Sequence, residues 1–71
     1  MPNQLVTFDH VELLTRDAFG FRCRVGEREV WIGNLQWQKG TTVHAAVGDR
    51  LVLRRADAAE LGLIDWKPGD P

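Results

Sequence analysis

Apolar and polar residues alternate most regularly between Phe19 and Ile32, FGFRCRVGEREVWI. Phe19, Phe21, Cys23 and Val25 fall on one face of a first extended run, and Val30 and Ile32 on one face of a second. A two-residue loop at Gly26-Glu27 pairs Arg24 with Glu29, Cys23 with Val30, Arg22 with Trp31 and Phe21 with Ile32. Every pair matches in polarity. The pattern therefore predicts a hairpin with one buried face and an outer face that presents Arg22 beside Trp31.

The remaining segments are read around this hairpin. From Leu5 to Leu14, Val6 and Phe8 alternate with polar neighbours, and Val11 and Leu13 resume on the opposite parity. An extra residue near Asp9-His10 produces that shift, so a bulge or bend is expected there. Arg16-Asp17-Ala18 is expected to turn the chain into the hairpin. Between Gly33 and Thr42 the pattern around Leu35 and Trp37 is irregular, which makes this the expected binding loop. Thr42 to Val47 alternates again, with Val43, Ala45 and Val47 on one side, and reads as a sheet segment. Gly48-Asp49 reads as a tight turn before a strand from Arg50 to Arg55, with Leu51 and Leu53 inward and Val52 outward beside Arg50 and Arg54.

The period then changes. Asp57-Ala58-Ala59-Glu60 followed by Leu61-Gly62 reads as one helical turn with Asp57 as N-cap, ended by a left-handed glycine. Leu63 and Ile64 are expected to pack back on the sheet. Residues 1–64 read as a single small β-barrel domain, and 65–71 as a flexible C-terminal tail in which Trp66 can dock. Four to five short strands and one short helical turn predict a mainly β fold, a small SH3-like or OB-like curled sheet or barrel, because closure removes exposed strand edges. The pattern leaves the strand order open.

Composition bounds the function classes. A chain of 71 residues buries only ~60% of its unfolded surface, so its stability margin is small. With 44% hydrophobic and 27% charged residues it falls in the globular range. One cysteine rules out an internal disulfide and, alone, a structural zinc site, which fits a reducing, cytoplasmic setting. No apolar run approaches the ~20 residues of a membrane span, and MPNQLVTF lacks the form of a secretory leader. Neither a membrane nor a cofactor is expected as a partner. A net charge of -1 argues against wholesale neutralisation of nucleic acid, although seven of the nine basic residues are arginines and six of these, Arg22, Arg24, Arg28, Arg50, Arg54 and Arg55, lie in or beside predicted strands.

Gly26-Glu27, Glu29-Val30-Trp31-Ile32, Gly48-Asp49 and the Ala58-Ala59-Glu60-Leu61-Gly62-Leu63 ending together resemble a group of small uncharacterised bacterial and phage proteins and domains. Their pattern is a glycine-glutamate turn into an EVWI-type strand, a Gly-Asp turn before another strand, and an Ala-x-x-x-Gly-Leu ending; the likeness covers roughly residues 10 to 64. In that group Pro-Lys-Ser commonly follows the tryptophan strand, whereas this chain has Gly33-Asn34-Leu35, so a role tied to that lysine does not carry over. A fainter likeness to the S1-type OB barrel of translation initiation factor one rests on length and the Gly-Asp strand, without that barrel's basic surface.

Catalysis leaves little trace. His10 and His44 are far apart in sequence and in no metal-binding spacing, the chain has no serine, and no phosphate-binding glycine loop occurs, so no catalytic or metal-ligating set is expected. Cys23 sits on an apolar face, where desolvation keeps a thiol inert. The candidate binding residues are Arg22, Arg24, Trp31, Trp37, Lys39, Arg54 and Trp66. An indole flanked by guanidinium groups can stack a base and hold its phosphate, and the same Arg22–Trp31 pair can instead be an internal cation–π contact. Trp37, between two glutamines and next to Lys39, suits either a partner contact or a plug at one end of the barrel. Arg50, Arg54 and Arg55 form a basic strip or pair with Glu12, Asp49 and Asp57. The expected function is a non-enzymatic interaction module that binds a protein partner or its own copy through the tryptophan surface. The alternative is a single-stranded nucleic-acid binder using the arginines and tryptophans.

Overall fold

The computed structural model describes residues 4–45 and 48–65. Five strands form two antiparallel sheets: β1 (Leu5–Phe8) pairs with β5 (Leu51–Arg54), and β2 (Glu12–Asp17), β3 (Gly20–Val25) and β4 (Arg28–Gly33) form a meander. A 3-10 turn (Val43–Ala45) precedes β5, and a short helix α1 (Arg55–Glu60) follows it. The result is a small curled β domain. Among the described residues no helix is long and apolar enough to cross a membrane.

The β3–β4 hairpin adopts the register expected from polarity, with Arg24 opposite Glu29, Cys23 opposite Val30, Arg22 opposite Trp31 and Phe21 opposite Ile32. Gly26 lies in the left-handed region at φ 62°, which the two-residue turn requires and which glycine adopts without strain. The bend expected near Asp9-His10 is also present. His10 has φ 60°, and there the chain leaves the β1–β5 sheet for the β2–β3–β4 sheet. Such a conformation costs a non-glycine residue roughly 1–2 kcal/mol. Around it, Val11 N donates to Asp49 O at 2.8 Å, Arg50 Nε lies 3.3 Å from Asp9 Oδ1, and His10 Nδ1 lies 3.5 Å from Asp49 Oδ2. A second irregularity lies in β2, where the register against β3 shifts between Leu13 and Thr15 and leaves Leu14 as the extra residue.

The core is built from the inward positions of both sheets. Val11, Phe21, Cys23, Val30, Ile32, Val43, Leu51, Leu53 and Ala58 are buried, and Phe8, Leu13, Val25, Trp37, Leu61, Leu63 and Ile64 pack against them. Leu51 and Leu53 point inward as expected, and Leu63 and Ile64 fold back. The helix end has the expected left-handed glycine: Gly62 (φ 78°) donates to Ala59 O at 3.0 Å and Leu63 N to Ala58 O at 2.9 Å. A Cβ at Gly62 would also come within 3.2 Å of the Arg28 guanidinium.

Several expectations are corrected. Thr42 to Ala45 is not a strand: Thr42 N and Val43 N both donate to Arg50 O, at 2.9 and 3.1 Å, which curls the chain into the 3-10 turn. Ala46 and Val47 lie outside the described residues, as do Trp66 and the residues that follow it. Val52 is buried rather than outward, because residues 38–41 cover it. Gln38 N donates to Val52 O at 2.8 Å, and the buried Thr41 hydroxyl accepts from Val52 N at 2.9 Å. Gly48-Asp49 is an irregular connection and not a tight turn. The turn expected at residues 16–18 lies at Ala18-Phe19, since β2 runs on to Asp17 and pairs it with Gly20. Phe19 is thereby removed from the buried face. Asp57 is in the first turn of α1 and not its N-cap, a position held by Arg54.

Cys23 lies fully buried between Phe21 and Val25, and desolvation pushes its thiol from the ordinary 9.0 up to about 11. The unfolded chain therefore ionises first. Below pH 9.0 the thiol leaves stability unchanged, and as pH rises from there toward about 11 it lowers stability. At neutral pH, iodoacetamide is expected to leave Cys23 unmodified in the folded chain and to alkylate it in denaturant; rapid labelling of the native chain would contradict this burial.

Candidate functional site

The outer face of β2–β3–β4 is set by the strand alternation that buries Phe21, Cys23, Val30 and Ile32 on the other side. Three rows cross it: Glu12–Arg24–Glu29, then Thr15–Arg22–Trp31, then Asp17–Gly20–Gly33. In the first row Arg24 bridges both neighbours, with Nη1 3.4 Å from Glu12 Oε2 and Nη2 3.3 Å from Glu29 Oε2. All three groups are exposed, so each pair contributes only about 0.2–1 kcal/mol, but together they compensate the arginine's charge. In the second row Trp31 is 40% exposed opposite Arg22, and no ion pair involves Arg22 among the described residues.

The third row opens onto two turns that are tied together. Asp17 Oδ1 accepts from Phe19 N at 2.7 Å and shapes the Ala18-Phe19 loop. Asn34 N donates to Phe19 O at 3.0 Å and Asn34 Nδ2 to Ala18 O at 2.7 Å, while Gln36 Oε1 accepts from Gly33 N at 2.8 Å. These bonds fix the backbone at the end of the sheet. They also hold two large apolar side chains in solvent, Phe19 at 79% exposure and Leu35 at 91%.

The other candidates lie elsewhere. Trp37 forms an isolated bridge with Leu53 beside β5, and its ring stacks on His44 at 4.3 Å between centroids and 22° between planes. His44 in turn stacks on Phe21 at 6.2 Å, so Phe21, His44 and Trp37 form one column against the core. Trp37 Nε1 and His44 Nδ1 are buried there without a hydrogen-bond partner among the described residues. Arg16 Nη1 closes the column from outside by donating to His44 O at 2.6 Å. Lys39 is exposed and in no ion pair among the described residues. Arg54 is held by Asp57 at 2.9 Å, and Arg50 by Asp9.

The structure thus brings Arg22, Arg24 and Trp31 onto one face and places Trp37, Lys39 and Arg54 around β5. Trp66 lies outside the described residues. Phe19 and Leu35 were not among the sequence candidates. The signal for Phe19 is the spacing Asp17-x-x-Gly20, a side-chain-bonded residue and a glycine flanking a two-residue loop. Among the described residues no three His, Cys, Asp or Glu side chains cluster as metal ligands would. Compared with protein-family models, curated proteins and solved structures, the chain matches none.

Proposed function

We propose that this protein is a non-enzymatic interaction module, an SH3-like small β-barrel that binds a protein partner or its own copy through the outer face and turn end of β2–β3–β4. The observation that carries this reading is the pair Phe19 and Leu35, two large apolar side chains held in solvent by turns that hydrogen-bond to each other. Exposed apolar groups on a rigid scaffold, next to a half-exposed tryptophan, are the anchors protein interfaces use. The consecutive β2–β3–β4 meander, the 3-10 turn before β5 and the return of β5 to β1 support the SH3-like order over the OB-like one. Trp37 is committed to its stack, so among the described residues the tryptophan surface narrows to Trp31 with the Phe19–Leu35 end.

The paired charges of Arg24, Arg50 and Arg54 weigh against the nucleic-acid alternative, while Arg22 beside Trp31, together with Lys39, favours it. One set of measurements tests both. The double variant Phe19→Ser, Leu35→Ser is expected to keep its melting temperature, because both groups are exposed, and to lose at least about tenfold of whatever protein the wild type captures from cell extract, its own copy included. Unchanged capture would contradict the reading. Salt-sensitive quenching of tryptophan fluorescence by a mixed-sequence single-stranded oligonucleotide, abolished in Arg22→Glu, would establish the alternative instead.

A further inference from the structure

The free edge of β4 has a hydrogen-bonding pattern that fits a second copy of itself. In an antiparallel hairpin with a two-residue loop, the pair next to the loop is hydrogen-bonded, and bonded and non-bonded pairs alternate from there. Val25–Arg28, Cys23–Val30 and Phe21–Ile32 are then the bonded pairs of β3–β4, and the N–H and C=O groups of Glu29, Trp31 and Gly33 point away from β3. Two observed bonds agree with this phase: Asn34 N donates back across the hairpin to Phe19 O, and Gly33 N donates outward to Gln36 Oε1. Gly33 is thus occupied. Among the described residues β4 pairs only with β3, and no hydrogen bond takes up the backbone groups of Glu29 or Trp31.

We infer that β4 pairs antiparallel with β4 of a second copy about a two-fold axis at Val30, which joins two three-stranded sheets into one of six strands. The inference rests on the interaction-module reading and names its partner. With Gly33 occupied, three registers pair Glu29 and Trp31 among themselves, and two of them fail. An axis at Glu29 places two carboxylates opposite each other. An axis at Trp31 sets Glu29 against Gly33, whose N–H already serves Gln36. The axis at Val30 places Glu29 of each copy opposite Trp31 of the other, so all four outward residues exchange bonds and no backbone group in that stretch is left unpaired.

Charge favours the same register. The outer row Thr15–Arg22–Trp31 of one copy continues into Glu29–Arg24–Glu12 of the other, so cation, indole, anion, cation and anion follow in order. Arg22, which no carboxylate partners among the described residues, gains a glutamate just beyond the indole. Glu29 does not act as a repulsive guard on the edge, because Arg24 already compensates it. The segment 66–71, WKPGDP, is a poorer occupant, since its two prolines cannot donate to a ladder.

Sedimentation of the full chain over a wide concentration range, with hydrogen exchange of the Glu29 and Trp31 amides at each concentration, tests the pairing. The expected result is a species of twice the 8.0 kDa chain mass and amide protection that rises with its population. Glu29→Pro removes one outward donor per copy and no bond inside the hairpin, and is expected to raise the dissociation constant by about 10- to 100-fold. Trp31→Glu, which keeps the ladder and sets a carboxylate directly against Glu29 of the other copy, serves as a second variant if the proline disturbs folding. A dimer that survives both variants overturns the edge pairing while leaving the interaction-module reading intact. Protection of both amides that is independent of concentration shows the edge covered within one chain and overturns it too. A monomer at every concentration with both amides in fast exchange overturns it as well, and the capture experiment then decides separately whether the broader reading stands.

Discussion

Phe21→Ala is expected to leave the chain unfolded, or nearly so, at 25 °C without denaturant. Phe21 heads the largest fully buried side chains, lies opposite Ile32 across the hairpin, and supports the column of His44 and Trp37. Truncating a buried phenylalanine costs about 3–5 kcal/mol, through lost transfer energy and the cavity left behind. A domain of 71 residues has roughly 4–10 kcal/mol in all, and small chains fall toward the lower end. The loss thus removes most of the margin. Urea unfolding followed by tryptophan fluorescence should show the midpoint fall close to zero, with Trp37 already moved toward water as the His44 ring loses its support. Phe21→Leu, which refills much of the volume, should recover the larger part. A drop below about 1 kcal/mol for the alanine variant would mean that the β2–β3–β4 face closes over the cavity, which the backbone ladders on both sides of Phe21 oppose.

Local patterns were legible in the sequence where a local rule decides the structure. The β3–β4 register could be read because a slip of one residue would set Arg22 or Arg24 against the core, and the Gly62 helix end because only glycine takes that backbone conformation freely. Partners distant in sequence decide the features that were missed. Val43 and Ala45 alternate as a strand does, yet the Arg50 carbonyl accepts from two successive amides and forces a turn. Val52 looked outward because its neighbours Arg50 and Arg54 are charged. The Thr41 hydroxyl that covers it lies 11 residues earlier in the chain. Phe19 continues the apolar parity of Phe21 and Cys23 one step beyond the strand, past Gly20, where the parity no longer specifies a face.

The candidate site shows the same division. That Arg22 lies opposite Trp31 follows from the hairpin alone. That Arg24 is compensated on both sides requires Glu12, and Glu12 reaches it only through the register shift at Leu14, which no local pattern announces. Leu35 sits in a segment correctly read as irregular and as surface, but its near-complete exposure comes from Gln36 and Asn34, whose side chains tie the turn to Gly33 and Ala18 and leave Leu35 nothing to pack on.

Gly20→Ala is expected to cost more than about 2 kcal/mol, by contact with the main chain added to a backbone conformation, φ 159°, that side-chain-bearing residues rarely adopt. A Cβ at Gly20 would lie well inside van der Waals contact of the Ile32 carbonyl oxygen and 3.0 Å from Gly33 Cα. Neither neighbour is a side chain that can swing away. Accommodating the methyl moves β4, and with it the Phe21–Ile32 pair of the core and the Asn34–Phe19 bond that holds the exposed turn end. Gly26→Ala is the control, because Gly26 has a positive φ of 62° but open space around it. Its cost should be only the roughly 1–2 kcal/mol of placing a side chain in the left-handed region, and Gly26→Asn should recover part of that. For Gly20 no such rescue exists, since asparagine brings the same Cβ against the same carbonyl. Equal losses at the two positions in urea unfolding would show that β3 and β4 can separate at this end. A larger loss at Gly20, together with loss of partner capture, would tie the exposed Phe19 and Leu35 to the close approach of two strands that only glycine permits.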